Sequence, residues 1–236
     1  MTDVFEIADG IFRISTPIPP EAMPGGFTFN QFLVVDDEPL LFHTGPRKMF
    51  PLVRGAIAHV LGSVERLRWI SFSHVEADEC GALNDFLAVA PNATPLCSAL
   101  AAMVQMNDLA DRPPRTVVDG EAVKIGRHEL RWLDAPHVPH NWECGYMFET
   151  STRTLLCGDL FTHGGHALPA VTESDVLAPS EALRSQMGGV AIEAGTRGVL
   201  EKLARTEPTT LALMHGSSYR GNGRAALLGL ADALGV

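Results

Sequence analysis

Ser73-His74-Val75-Glu76-Ala77-Asp78-Glu79 sets one imidazole and three carboxylates close together, directly after the apolar run Trp69-Ile70-Ser71-Phe72. A short apolar run of this kind reads as a buried strand. The following stretch, Cys80-Gly81-Ala82-Leu83-Asn84-Asp85-Phe86-Leu87-Ala88-Val89, reads as an amphipathic helix. The polar cluster therefore falls in the turn at the carboxyl end of a strand, where open α/β sheets place ligands. His74, Glu76 and Asp78, at i, i+2 and i+4, converge on one side if the turn is extended; on a helix Glu76 would point away. Burying so many ionisable groups is unfavourable without a compensating cation, which a metal ion would supply. A solvated acidic turn is the plainer alternative.

Three other segments repeat the design. Arg131-Trp132-Leu133-Asp134-Ala135-Pro136 leads into His137-Val138-Pro139-His140, Thr154-Leu155-Leu156-Cys157-Gly158 into Asp159, and Thr210-Leu211-Ala212-Leu213-Met214 into His215-Gly216. Four of the nine histidines stand at such strand ends, a concentration that scatter would not favour and that points to metal binding.

The order His-x-Glu-x-Asp, His, Gly-Asp and a late His-Gly resembles the metallo-β-lactamase superfamily. With Glu76 it is similar to the flavodiiron (oxygen-binding di-iron) branch. Hydrolases of the superfamily carry His-x-His-x-Asp-His, so Glu76 and Glu79 stand where that pattern has imidazoles. The family also has an early strand ending in Asp-Thr-Gly; here Phe42-His43-Thr44-Gly45 matches, with His43 in place of the acid. The resemblance runs from about Val4 to His215. It implies an α/β fold, an αββα sandwich of two mixed β-sheets with helices outside, formed by residues 1–236 as a single domain.

The resemblance further implies two metal ions. One would take His74, Glu76 and a histidine of the 137–140 segment, the other Asp78 and His215, with Asp159 bridging both. The family's middle motif has a small residue four positions after its ligand, then an apolar strand. Cys144 and Gly145-Tyr146-Met147-Phe148 meet that rule from His140, which is preferred over His137. Glu79 would ligate weakly or sit at a helix amino terminus, where its charge is stabilised by about 0.3–1 kcal/mol; the second is favoured.

Zinc sites favour His and Cys, and affinity order alone does not select iron. Exchanging a neutral imidazole for Glu76 adds a hard, anionic oxygen donor, which stabilises ferric iron and favours oxygen chemistry over hydrolysis. Mixed His and carboxylate coordination serves di-iron proteins on unrelated folds as well. The expected metal is iron, with zinc or manganese compatible.

Composition agrees with a globular enzyme-sized chain: 236 residues, 46% hydrophobic and 19% charged, argue against disorder. A net charge of −10 disfavours nucleic acid and anionic membranes as partners. The acidic start, Met1-Thr2-Asp3-Val4-Phe5-Glu6, lacks a signal-peptide core. No run approaches the roughly 20 apolar residues that span a bilayer. Four cysteines without CxxC spacing read as reduced core thiols, so a cytoplasmic location is expected.

Residues 4–15 and 31–44 read as strands separated by a Pro- and Gly-rich loop, with helices over Met49–Leu61 (ended by Gly62), Ser98–Asn107, Ala191–Thr206 and Gly223–Leu234. Strands in two halves, each with helices, suit two face-to-face sheets. Phe161 to Gly189 lacks periodicity and reads as an irregular lid over the metals, with His163 and His166 as solvated loop residues. Tyr146, Trp142 and Phe161 are candidates for the pocket wall, and Ser217, Tyr219 and Arg220 for weak substrate contacts.

Three functions follow. The first is a non-haem di-iron protein that binds or reduces dioxygen or nitric oxide. The family's flavodoxin-like domain has no room after His215, so a separate electron-donor protein is expected. The second is a dinuclear hydrolase of an ester, thioester or lactone, in which metal-bound water attacks the carbonyl. The third is a non-catalytic oxygen sensor acting through a partner. Homo-oligomers are compatible with all three, and no catalytic residue beyond the metal ligands stands out.

Overall fold

A computed structural model describes residues 2–236. Among these residues, fourteen strands form two seven-stranded sheets. The first contains β1 (Asp3–Ala8), β2 (Ile11–Ile18), β3 (Phe27–Val34), β4 (Leu40–Phe42), β5 (Trp69–Ser71), β6 (Thr94–Ser98) and β7 (Arg115–Val117), side by side in chain order. Its first four strands pair antiparallel and its last four parallel, so the sheet is mixed. The second contains β8 (Ala122–Lys124), β9 (Glu129–Asp134), β10 (Gly145–Glu149), β11 (Thr154–Leu156), β12 (Val171–Thr172), β13 (Thr210–Ala212) and β14 (Ser218–Arg220). Its spatial order is β12-β14-β13-β11-β10-β9-β8, with β11 and β13 parallel.

The period-2 alternation of strands sorts side chains into layers. Leu40, Phe42, Trp69 and Leu96 face the second sheet and pack with its Leu130, Trp132, Met147, Leu156 and Ala212. Their neighbours Leu41, Ile70 and Cys97 point the other way, into a cluster with α1 (Phe50–Leu61) and Phe86 and Leu87 of α3 (Leu83–Val89). Leu155 and Leu211 similarly meet α7 (Thr196–Ala204) and α8 (Gly223–Ala233) on the far side. The result is the expected αββα sandwich.

α1 shows how local chemistry sets these elements. Val53, Ala56, Ile57 and Leu61 make one buried stripe, Pro51 lies in the first turn, and Gly62 at φ 82° ends the helix by donating its N–H to the Ala58 carbonyl at 2.9 Å. Three short helices complete the first half: α2 (Ala77–Cys80), α4 (Ala99–Ala101) and α5 (Asn107–Leu109), the last two joined by a π-helical stretch over Ala102–Met106. Residues 4–15 are not one strand: a turn at Gly10 folds β1 back on β2.

The segment expected to be irregular holds the remaining helix, α6 (Leu177–Met187). Only Ser180 of α6 is fully buried, so it has no apolar stripe for periodicity to reveal. Its amino end is secured instead by Asp175, which accepts from the Leu177 and Ala178 N–H groups. No helix among the described residues is long and apolar enough to cross a membrane. The four cysteines are free and buried.

Candidate metal centre

β5 delivers His74, the β9–β10 loop His140, β11 Asp159 and β13 His215, so the two parallel ladders open towards one end of the sandwich. Glu76 is extended (φ −138°, ψ 166°) just before α2, and Asp78 lies in that helix's first turn. The backbone is therefore extended at Glu76 and helical at Asp78, and the two carboxylates go to different places. Glu76 Oε1 lies 3.0 Å from His140 Nε2, with its other oxygen 3.6 Å from His74 Nε2. Asp78 Oδ2 lies 3.3 Å from His215 Nε2.

Asp159 stands between the two groups: Oδ2 is 3.7 Å from His74 Nε2 and Oδ1 is 3.2 Å from His215 Nε2. Donor atoms of His74, Glu76, His140 and Asp159 all lie within 4.8 Å of one another. His137 does not join them. It occupies a left-handed turn (φ 60°), its N–H closing onto the Asn141 carbonyl, while Tyr146 Oη and Cys144 Sγ donate to the Val138 carbonyl and hold the loop that presents His140.

Each imidazole is anchored through Nδ1. His215 Nδ1 donates to the Thr28 carbonyl at 2.8 Å, and His140 Nδ1 to the Gly189 carbonyl at 2.8 Å. His74 Nδ1 lies 2.9 Å from Ser73 Oγ. Because a carbonyl only accepts, the protons of His140 and His215 sit on Nδ1 and their Nε2 lone pairs turn inward. Metal-ligating histidines are oriented in this way. Asp159 Oδ1 is buried without a hydrogen-bond partner. A set of inward lone pairs and carboxylates with an orphaned oxygen fits a cation.

The field has the same sign. Burial discourages charge on His74, but the carboxylates of Glu79 and Glu76 prevail and push its pKa up to about 12. Burial also opposes charge on His215, which Asp159 and Asp78 push up to about 10. Asp159 resists ionisation by its burial, yet His215, His74 and His140 hold it well below the usual carboxylate range. Protons on the imidazoles balance the carboxylates, and a metal cation satisfies the same field.

Several contributors were not evident from sequence. Phe27 and Phe29 flank the His215 ring, with centroids 4.3 and 5.3 Å away. Thr28 Oγ1 accepts from Gly216 N–H, and Asn30 Nδ2 donates to the Leu213 and Gly216 carbonyls, so β3 of one sheet clamps a loop of the other. The alternation Phe27-Thr28-Phe29-Asn30 was the available signal, hidden by the preceding Pro/Gly-rich loop.

A cavity of about 640 Å³ opens above Asp78, His140, Asp159 and His215. Met23, Phe27, Phe161 and, from α6, Leu183 and Met187 line it. Trp142 is half exposed and Tyr146 is wholly buried. His163, expected in solvent, is buried: its Nδ1 donates to the Phe161 carbonyl and its Nε2 accepts from Ser217 N–H, which places the proton on Nδ1. His166 is exposed. Ser217 Oγ donates to the Pro169 carbonyl and Arg220 to the Ile7 carbonyl, contacts that knit the fold together. Glu79 lies in the first turn of α2, as expected, but it is buried and turned away from solvent towards His43.

The family model described as ODP family beta lactamase matches residues 27–216. Diflavin flavoprotein A 3 of Nostoc sp. (strain PCC 7120) is 28% identical over 142 residues, 59% of this chain and 24% of that protein. The chain thus spans about a quarter of that relative's length. Among solved structures, the rubredoxin oxygen:oxidoreductase of Desulfovibrio gigas superposes with a TM-score of 0.82 at 18% identity, over 98% of this chain and 62% of that one. The Flv1 flavodiiron core from Synechocystis sp. PCC6803 gives 0.82 at 20%, over 99% and 61%. At these identities the structural likeness is one of fold.

Proposed function

The chain belongs to the ODP family of the metallo-β-lactamase superfamily, and from that premise we propose that it is a non-haem di-iron protein that binds or reduces dioxygen or nitric oxide. The observation that carries this reading is the set of inward Nε2 atoms facing Glu76, Asp78 and Asp159. His74, Glu76 and His140 would hold one iron and Asp78 and His215 the other, with Asp159 shared. Bound iron would supply redox chemistry, which the surrounding protein tunes.

The chain's own residues set the conditions. Glu76 contributes a hard anionic donor in place of an imidazole and so favours iron over zinc. The carbonyls of Thr28 and Gly189 fix the His215 and His140 rings. Phe27, Phe29 and Phe161 give the cavity an apolar wall. Electrons would come from a separate donor protein; without turnover, the same site would serve as an oxygen sensor.

The test is metal analysis of protein purified from its native host, then anaerobic reduction and exposure to dioxygen. Iron at two per chain with oxygen-dependent visible bands is expected. Protein without iron, or iron-loaded protein with no spectral response to dioxygen or nitric oxide, defeats the reading.

The cavity favours a second reading. About 640 Å³ exceeds what a diatomic gas needs and suits an organic substrate. An ester, thioester or lactone hydrolase would turn over its substrate when zinc-loaded and not when iron-loaded.

A further inference from the structure

We propose that His43 and Glu79 are a single coupled exchange of acid and imidazole, and that the pair is a positioning element for His74. In the superfamily pattern that the chain resembles, an acid stands at position 43, and the hydrolases carry an imidazole at position 79. Taken one at a time, His43 and Glu79 are two unrelated departures. In the folded chain they touch: His43 Nε2 lies 2.5 Å from Glu79 Oε2, with side-chain exposures of 0% and 1%.

Burial makes each departure depend on the other. A carboxylate removed from water is strongly disfavoured unless a counter-charge meets it. Restoring Asp at 43 alone would set acid against acid. Restoring His at 79 alone would set imidazole against imidazole. Only the two changes together return an acid–imidazole pair.

The pair also reaches the centre. Glu79 Oε2 accepts from the Ser73 N–H at 3.2 Å, and Ser73 Oγ contacts His74 Nδ1 at 2.9 Å. Glu79 Oε1 has no hydrogen-bond partner and lies 3.7 Å from the same Nδ1. His43 is fixed in a left-handed conformation (φ 68°), its N–H donating to the Ser71 carbonyl, and the next residue's N–H donates to the Glu79 carbonyl. β4, β5 and α2 are thereby tied together behind the His74 ring, whose Nε2 is presented to the centre. Groups in this relation to a ligand histidine set its orientation and basicity.

The proposal rests on His74 being a ligand, and the experiment separates the two claims. His43→Asp, Glu79→His, the double variant and Glu79→Gln are compared with the unaltered chain in two measurements: melting temperature in the metal-free state, and zinc affinity by competition with a chromogenic chelator. Leu203→Ala, in the buried face of α7 and away from both the pair and the cavity, serves as a control for simple loss of stability. Each single exchange should lower the melting temperature, and the double variant should recover most of the loss. Glu79→Gln should weaken zinc binding about 10–100-fold, whereas Leu203→Ala should lower melting without that weakening. The coupling is overturned if the single variants melt like the unaltered chain, or if the double variant melts no higher than the lower single or is insoluble. The positioning role is overturned if Glu79→Gln binds zinc as the unaltered chain does, or if Leu203→Ala weakens it equally. An unaltered chain that takes up no zinc or iron removes the ligand assignment of His74 and with it the positioning role, while the melting comparison still decides the coupling.

Discussion

The Nε2 atoms of His74 and His140 face each other at 3.0 Å, with their rings almost perpendicular. His140 keeps its Nδ1 proton on the Gly189 carbonyl, so a proton or a cation must occupy the inner side of the pair. Glu76 and Asp159 surround that position. We expect His74→Ala and Asp159→Ala each to abolish two-metal loading, measured by inductively coupled plasma mass spectrometry. His163→Ala should keep both metals yet lose about 1–3 kcal/mol of stability, because the Ser217 N–H loses its acceptor. Full occupancy in Asp159→Ala would remove the case for a shared carboxylate.

Glu76 Oε1 lies 3.0 Å from His140 Nε2, and exchanging Glu76 for histidine alters donor hardness without removing a donor. Glu76→His should shift preference from iron towards zinc in competitive loading. Unchanged selectivity would show that the carboxylate does not set metal choice.

Gly216 ties the His215 loop to β3 at φ 92°, and a β-carbon there would meet the His163 ring at 2.3 Å. Left-handed backbone and overpacking add, so Gly216→Ala should cost about 2–4 kcal/mol in denaturant unfolding. A loss under 1 kcal/mol, on the order of ordinary surface substitutions, would mean that His163 moves aside freely.

Acid sensitivity should trace in part to Glu149, far from the centre. Burial opposes its charge, but the Thr152 and Ser151 hydroxyls, the Thr152 N–H and His128 hold its pKa down at about 2. Its folded value lies below the ordinary 4.5, so its contribution is complete above that pH and is lost as pH falls from there towards about 2. The contribution is on the order of 3 kcal/mol. Glu149→Gln should be less stable at pH 7 and show a flatter stability profile between pH 4.5 and 2. Parallel profiles for the two proteins would rule this source out.

Elements whose pattern is local were legible in advance. α1 carries its stripe, its first-turn proline and its terminating glycine within its own residues, and the apolar runs before His74, Asp159 and His215 announce strands that end in a polar group. α6 was not legible, since its one buried side chain is a serine, its apolar residues are only partly buried or exposed, and Asp175 secures its amino end. The start of β3 was missed because Pro24, Gly25 and Gly26 immediately precede it.

By itself, then, the sequence determined the sandwich and the strand ends at which its polar residues stand, because hydrophobic period and turn chemistry act over a few neighbouring residues. The grouping of Glu76 with His140 and of Asp78 with His215 came from the resemblance, but the tertiary structure alone decided the directions that bring those side chains together, and that His43 meets Glu79. Those pairings join positions up to 137 residues apart (215 minus 78), and their energies depend on burial and direction, which exist only once the two sheets have closed on each other.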